Sequence, residues 1–152
     1  KIKKKDLLKL EKFWMQLGSK VKIMSFSEHD YILSLTSHLP HAIAYNLVIT
    51  AIQNDNKSKK EIVKYSAGGL RDFTRIASSN PIMWKDIFLD NSDNMVKILN
   101  LFTKNINKFK NAIRRGDSAK LLNIFKLTKT VREDIIKAGQ DTDKPDFGRK
   151  KS

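Results

Sequence analysis

The chain has 152 residues, of which 40% are hydrophobic and 30% are charged, a composition that suits one folded domain with its own core. It contains no cysteine, so nothing indicates a disulfide framework or an oxidising compartment. No apolar run reaches the roughly 18 residues free of polar groups that suggest a membrane-spanning helix. The basic N-terminus leads into an amphipathic helix rather than a signal peptide, so we expect a cytoplasmic protein without a membrane partner.

The net charge is +14, which raises the question of a nucleic-acid partner. The lysines are spread along the whole chain, with small clusters at 3–5, 57–60 and 149–151. The sequence is rich in Ile, Asn and Lys together, which indicates a compositional drift rather than a dedicated binding surface. The pattern argues against a nucleic-acid partner, and an anionic small molecule suits the charge at least as well.

The first 26 residues predict a helix followed by a single strand. Leu7, Leu10, Phe13, Trp14 and Leu17 form an apolar face over residues 6–17, and Gly18 is a suitable stop. Residues 21–24 have the composition of a short strand. A single strand would leave its backbone groups unpaired. We therefore expect residues 1–26 to be the end of a truncated α/β domain, and the chain to be the C-terminal part of a longer protein.

A long apolar run from about Tyr31 to Ile52 predicts one buried helix, with Ser27 as its N-cap. A polar stripe lies on one face of this helix at 3.6-residue spacing. Its members are Ser34, Ser37, His38, His41 and Tyr45. Buried polar groups need partners, which a second polar helix or a polar ligand would provide. Histidines here also suit an ordinary satisfied core. No third ligand stands at metal-like spacing, so we expect no metal.

A glycine pair, Gly68-Gly69, precedes a helix that the sequence predicts from Leu70 and that carries Arg71 and Arg75. The glycines allow unusual backbone angles and close approach of another group. Amide donors and guanidinium groups at such a turn suit an anion. The alternative is a solvated basic helix end with an Asp72–Arg75 pair.

Three further helices complete the predicted fold. Asn80-Pro81 begins a helix whose Trp84 suits core packing, and longer helices follow over 92–115 and from 118 to just before Gly139. The first of the longer helices has an apolar seam that predicts an antiparallel pair. The seam consists of Met95, Ile98, Leu99, Phe102, Ile106, Phe109 and Ile113. Apolar residues off the seam leave surface for a second subunit: Leu101, Ile124, Leu127 and Ile136.

Four motifs in this order resemble the C-terminal helical domain of the prephenate dehydrogenase family, including its arogenate and cyclohexadienyl relatives. They are His29-Asp30; Ser37-His38-Leu39-Pro40-His41; Gly68-Gly69-Leu70-Arg71-Asp72-Phe73-Thr74-Arg75-Ile76-Ala77; and Pro81-Ile82-Met83-Trp84-Lys85-Asp86-Ile87 with Asn91. The resemblance extends from about Phe13 to the end of the chain, and the four motifs together are highly specific.

The resemblance implies a mainly α fold in three parts: residues 1–26 as the end of a Rossmann domain, residues 27–139 as an all-helical substrate-binding and dimerisation domain, and residues 140–152 as a polar tail. It implies an NAD- or NADP-dependent enzyme of tyrosine biosynthesis that oxidatively decarboxylates prephenate or arogenate. It also implies a homodimer, with tyrosine as a product or inhibitor.

The resemblance also assigns substrate-binding roles to six residues: Ser37, His38, His41, Asp72, Arg75 and Trp84. Arg75 would pair with a substrate carboxylate, His41 would line the site with Ser37 and His38, Asp72 would orient Arg75, and Trp84 would form a wall. The Gly-rich phosphate loop and the family's upstream histidine are absent, so we expect no catalytic or cofactor-binding residue here and no activity from this chain alone. The alternative is a non-enzymatic basic helical module for self-association or nucleic-acid binding.

Overall fold

A computed structural model describes residues 3–53 and 56–141 of the chain, without the side chains of residues 56–59. These residues form helices and no β-strand. The elements in order are α1 (Lys4–Gln16), α2 (Phe26–Leu33), a π-helical turn (Ser34–His38), α3 (Leu39–Ile52), α4 (Asn56–Lys64), α5 (Gly68–Ala77), α6 (Pro81–Asp90), α7 (Ser92–Arg114) and α8 (Ser118–Lys137). The mainly α prediction is confirmed. Of the predicted tail, residues 142–152 lie outside the described residues.

Local capping chemistry explains several helix ends. The side chain of Asn80 accepts hydrogen bonds from the backbone N–H groups of Ile82 and Met83, each at 3.0 Å, and Pro81 supplies the fixed φ of the first helical position. Gly116 adopts a φ of +64° between α7 and α8, a conformation that glycine enters without a steric penalty. Both boundaries agree with the sequence prediction.

The predicted strand at residues 21–24 is wrong. This segment has no regular secondary structure, because the described part of the chain offers no second strand with which its backbone could form a ladder. Its apolar side chains instead turn towards α1 and line a groove of about 400 Å³. The groove includes Leu7, Leu10, Trp14, Val21, Ile23 and Met24.

The central helix, which runs through α2, the π-helical turn and α3, differs from the prediction in three respects. It begins at Phe26, and Ser25 rather than Ser27 caps it by accepting a hydrogen bond from the N–H of Glu28 at 3.2 Å. The α-helical pattern is interrupted by the π-helical turn at 34–38. The helix is also buried along one side only, since Leu47 and Ile49 are exposed.

The buried core is small and lies between the central helix, α6 and α7. Its apolar members are Ala42, Ala44, Trp84, Met95, Ile98 and Ala112. Helix α3 packs against α5 more extensively than any other pair among the described helices. The core thereby places the polar side of the central helix next to α6 and α7, and α5 against α3.

The α7–α8 pair forms only part of the predicted seam. The Phe109 and Phe125 rings meet edge to face, with their centroids 6.2 Å apart. Ile106 and Ile113 are exposed, and α8, whose residues are all described, contains no buried residue. The part of the seam around Ile106 and Ile113 is therefore not closed within one copy of the chain.

Candidate functional site

The π-helical turn is the backbone feature that positions the polar stripe. The N–H of Leu39 donates to the carbonyl of Ser34, five residues earlier, instead of four. Pro40 follows directly and has no N–H, and its ring would crowd the carbonyl of Thr36 in a regular helix. The wider turn accommodates the proline, and Ser34 and His38 at its two ends are both buried.

His38 is buried and hydrogen-bonded from a distant helix. Only 8% of its surface is exposed, and its Nδ1 lies 3.3 Å from Nδ2 of Asn91. Burial is the main influence on the ring, and it lowers the pKa of His38. The nearby Asp30 carboxylate raises this pKa, whereas His29 and His41 lower it further. His38 is therefore held as a neutral imidazole near pH 7.

His41 and Trp84 form the centre of the site. Their rings are stacked, with centroids 3.5 Å apart and planes at 21°, and Trp84 is only 6% exposed. Nδ1 of His41 donates to the carbonyl of Ser37 at 2.9 Å, because a carbonyl oxygen can only accept. The His38 ring meets Trp84 edge to face at 6.0 Å. Four predicted site residues thus lie together; we call Ser37, His38, His41 and Trp84 the histidine cluster.

Helix α5 presents the other two predicted site residues to solvent. Asp72 and Arg75 are both exposed, as is Arg71, and none of the ion pairs among the described residues involves them. The Asp72–Arg75 pair that the spacing suggests is therefore not formed. The structure also shows no hydrogen bond between Arg75 and the histidine cluster. Within the described residues, Arg75 therefore has no ion-pair partner.

The glycine pair does not behave as the sequence suggests. Helix α5 begins at Gly68, two residues before the predicted start at Leu70. Neither Gly68 nor Gly69 has a positive φ, and a Cβ added at either would meet nothing within 4 Å. Both glycines therefore have ordinary helical backbone angles, and the close approach of another group that they permit stays a prediction.

Two contacts of the site involve residues outside the six predicted site residues. Asn91, which the sequence indicates as a helix start and as part of the fourth motif, turns its side chain inward and is 9% exposed. Phe88 packs against Trp84, with centroids 5.5 Å apart. The available signal was the need of a buried histidine for a polar partner, but nothing local shows which residue provides it.

Two buried donors make no hydrogen bond within the described residues: Nε1 of Trp84, in the cluster, and the hydroxyl of Tyr45, on α3. The described residues contain no group of three or more His, Cys, Asp or Glu that could hold a metal ion. Among the helices that the structure describes, none combines the length and hydrophobicity needed to cross a bilayer.

Comparison with known proteins matches residues 25–127 to the family model described as prephenate dehydrogenase, dimerization domain. The chain is 40% identical over 120 residues to a cyclohexadienyl dehydrogenase of Zymomonas mobilis, covering 79% of this chain and 41% of that protein. It is 37% identical over 112 residues to a prephenate dehydrogenase of Bacillus subtilis, covering 74% and 30%. The chain thus spans less than half the length of these relatives.

Solved structures give the same result. The crystal structure of prephenate dehydrogenase from Aquifex aeolicus in complex with hydroxyphenyl propionate and NAD+ matches with a TM-score of 0.81 and 41% identity, over 89% of this chain and 47% of that one. A Synechocystis arogenate dehydrogenase shares the fold, with a TM-score of 0.75 at 21% identity, over 87% of this chain and 48% of that one. The helical architecture is therefore that of the matching part of these proteins.

Proposed function

Because this chain belongs to the prephenate dehydrogenase family, we propose that it supplies the substrate-binding residues and the dimer interface of an NAD(P)-dependent dehydrogenase. The substrate is prephenate or arogenate, and the product is 4-hydroxyphenylpyruvate or tyrosine. The reaction moves a hydride from the ring carbon that bears the hydroxyl to NAD(P)+, releases CO2, and leaves an aromatic ring. The protein acts in the cytoplasm as a homodimer in tyrosine biosynthesis, with tyrosine as a product or inhibitor.

The observation that carries this proposal is the packing of the histidine cluster. The cluster gathers four residues that the family resemblance assigns to the substrate, and the stacked rings of His41 and Trp84 lie at its centre. Trp84 forms the rigid inner wall of the site by stacking behind His41. Ser37, His38 and His41 offer hydrogen bonds to the polar groups of the substrate. The substrate is thus oriented by side chains that are already fixed before it binds.

Arg75 completes the proposed site by binding a carboxylate of the substrate. A guanidinium group donates two parallel hydrogen bonds to a carboxylate, which fixes direction as well as charge. Arg75 is exposed and forms no ion pair among the described residues, so no internal contact must break before it binds. Asp72, three residues earlier on α5, would orient it once the ligand is present.

The cofactor, NAD or NADP, supplies the hydride acceptor when it is bound. The chain contains no Gly-x-G-x-x-Gly pattern between a strand and a helix, so we assign it no cofactor-binding residue. We also assign it no group that takes the hydroxyl proton. By itself, therefore, the chain should bind substrate or product without turning it over.

The dimer interface is proposed for the apolar surface that a single chain leaves open. Exposed apolar side chains occur along both α7 and α8, and clustered exposed apolar residues are typical of interaction surfaces. They include Val96, Leu101, Ile106, Ile113, Leu122, Phe125, Leu127 and Val131. A second copy would cover this surface and close the seam that α7 begins.

A thermal denaturation series with hydroxyphenyl propionate tests the proposed substrate site. At about a hundredfold excess over Kd, the ligand should raise the Tm of the unsubstituted chain by about 5 °C or more. Arg75→Ala should abolish this shift. Arg115→Ala removes an equal charge from an exposed site at the end of α7 and should retain the shift. An equal shift in the Arg75→Ala and Arg115→Ala chains would overturn the role of Arg75.

A further inference from the structure

Asn91 lies at the junction of α6 and α7, where an asparagine usually caps a helix. Its backbone N–H donates to Ile87, and its carbonyl accepts from Met95, so it closes one helix and opens the next. The side chain makes no capping hydrogen bond to α7. Asparagine is favoured at such positions because its side-chain oxygen accepts from the first helical N–H groups. Here the side chain is buried and forms hydrogen bonds with the central helix instead.

The amide of Asn91 joins α7 to the central helix through two hydrogen bonds, and a third holds the amide to α7. Nδ2 donates to the backbone carbonyl of Asp30 at 2.8 Å and lies 3.3 Å from Nδ1 of His38. Oδ1 accepts from Nδ2 of Asn94 at 2.8 Å. A backbone carbonyl can only accept, so the Asn91 atom that faces Asp30 must be the amino nitrogen. The network itself therefore fixes which end of the amide faces His38.

This orientation determines where His38 carries its proton. The amino group of Asn91 has hydrogens to give and no lone pair to offer, so Nδ1 of His38 must accept. The proton of a neutral imidazole then lies on Nε2. A protonated His38 would instead set its Nδ1–H against the N–H of Asn91, and two donors would face each other in a buried place.

We propose that Asn91 is a positioning residue that holds His38 in the Nε2–H form within the histidine cluster. The two histidines of the cluster then differ in the hydrogen-bonding role of their Nε2 atoms. Nε2 of His38 is a donor, whereas Nε2 of a neutral His41 is an acceptor, because Nδ1 of His41 carries the proton and donates a hydrogen bond to the backbone carbonyl of Ser37. The value of this arrangement to a substrate rests on the function proposed above, but the arrangement itself does not.

An aspartate at position 91 shows why the amide is required. Aspartate caps helices about as well as asparagine, so capping alone gives no reason to prefer one over the other. A carboxylate has no hydrogen to donate, so it would repel the carbonyl of Asp30 and attract a proton onto Nδ1 of His38. The charged and titratable groups that act on His38 are Asp30, which favours protonation, and His29 and His41, which oppose it. An added carboxylate at position 91 would favour the protonated form of His38.

Nitrogen NMR of the chain labelled with ¹⁵N-histidine tests the proposal directly. Above the pKa of His38, its ring should show a protonated Nε2 and an unprotonated Nδ1, and His38→Gln identifies the signals by their loss. Asn91→Asp should raise the pKa of His38 by about 1–3 pH units and move the neutral form towards Nδ1–H. Asn100→Asp makes the same chemical change at an exposed site further along α7 and should leave the His38 titration unchanged.

An unsubstituted chain in which neutral His38 is protonated at Nδ1 would overturn the proposal, and so would an identical His38 titration in the Asn91→Asp and Asn100→Asp chains. An Nδ1–H form in the unsubstituted chain overturns the proposal whether or not the Asn91→Asp chain folds. None of these measurements uses a ligand. If the Nε2–H form is found and hydroxyphenyl propionate does not bind, the proposed function fails while the role of Asn91 stands.

Discussion

The histidine cluster and helix α5 are built in opposite ways, although we propose that both bind the same ligand. In the cluster, His38 and Trp84 are buried and held by rings and hydrogen bonds. On α5, Arg71, Asp72 and Arg75 are exposed, and none of the ion pairs of the described residues holds them. The side chains of the cluster lose their conformational entropy when the chain folds, so they are already ordered before a ligand binds. The charged side chains of α5 remain solvated in the free chain. Mutations in the two regions should therefore affect different measurements.

The largest effect on stability should come from Trp84→Ala. This change removes a buried ring that contacts His38, His41 and Phe88, and loss of a buried aromatic side chain costs about 3–5 kcal/mol. Denaturant unfolding of the chain measures it. Trp14→Ala is the control, because Trp14 is 48% exposed and should cost about 1 kcal/mol or less. Equal losses at the two positions would contradict the account of the cluster as a packed core.

Asn91→Ala should have the next largest effect. The substitution leaves the carbonyl of Asp30 and Nδ1 of His38 without their donor in a partly buried place, which costs about 1–3 kcal/mol. The same unfolding experiment measures this cost. Asn100→Ala, on the exposed side of α7, should change the free energy of unfolding by about 0.5 kcal/mol or less. A neutral Asn91→Ala would show that the amide contributes nothing to joining the helices.

The pH dependence of stability should reveal the buried state of His38. Burial lowers its pKa in the folded chain below 6.5, so the unfolded chain binds a proton first as the pH falls. The contribution of His38 is therefore complete above about pH 6.5 and is lost as the pH falls through its folded pKa. Unfolding free energies measured at several pH values should fall in this window. His38→Gln should flatten the fall, whereas His29→Gln removes a group that lowers the pKa of His38 and should shift the fall without abolishing it. A profile that is the same with and without His38 would contradict this prediction.

The smallest effect on stability should come from Arg75→Ala. Arg75 is exposed and forms no ion pair among the described residues, so its removal should change the free energy of unfolding by about 0.5 kcal/mol or less. The effect of removing Arg75 on the free energy of unfolding should appear only when a ligand is added. A large loss of stability without ligand would show that α5 depends on Arg75 for its packing, and the contrast between the two regions would disappear.

Features that depend on a few neighbouring residues were predictable from the sequence. The start of α6 at Asn80-Pro81 and the turn at Gly116 follow from local hydrogen bonds and backbone angles. The spacing of the polar stripe on the central helix also placed His38 and His41 on the inner side. The family resemblance, rather than periodicity, assigned Trp84 to their site.

Features that depend on distant partners were not predictable in this way. The apolar segment at 21–24 has the composition of a strand, but a strand exists only where a second one can pair with it. Asn91 is a plausible cap in the sequence, and only the fold brings it to Asp30, 61 residues away. The π-helical turn depends on how the backbone accommodates Pro40, which helical periodicity does not encode.

A crystal structure of the chain with hydroxyphenyl propionate tests most directly whether the two regions serve one ligand. The proposal predicts the aromatic ring of the ligand against the histidine cluster, and its carboxylate within hydrogen-bonding distance of the guanidinium group of Arg75 from the same or a second copy. A ligand that binds elsewhere, or that occupies the cluster while every Arg75 remains in solvent, would contradict it.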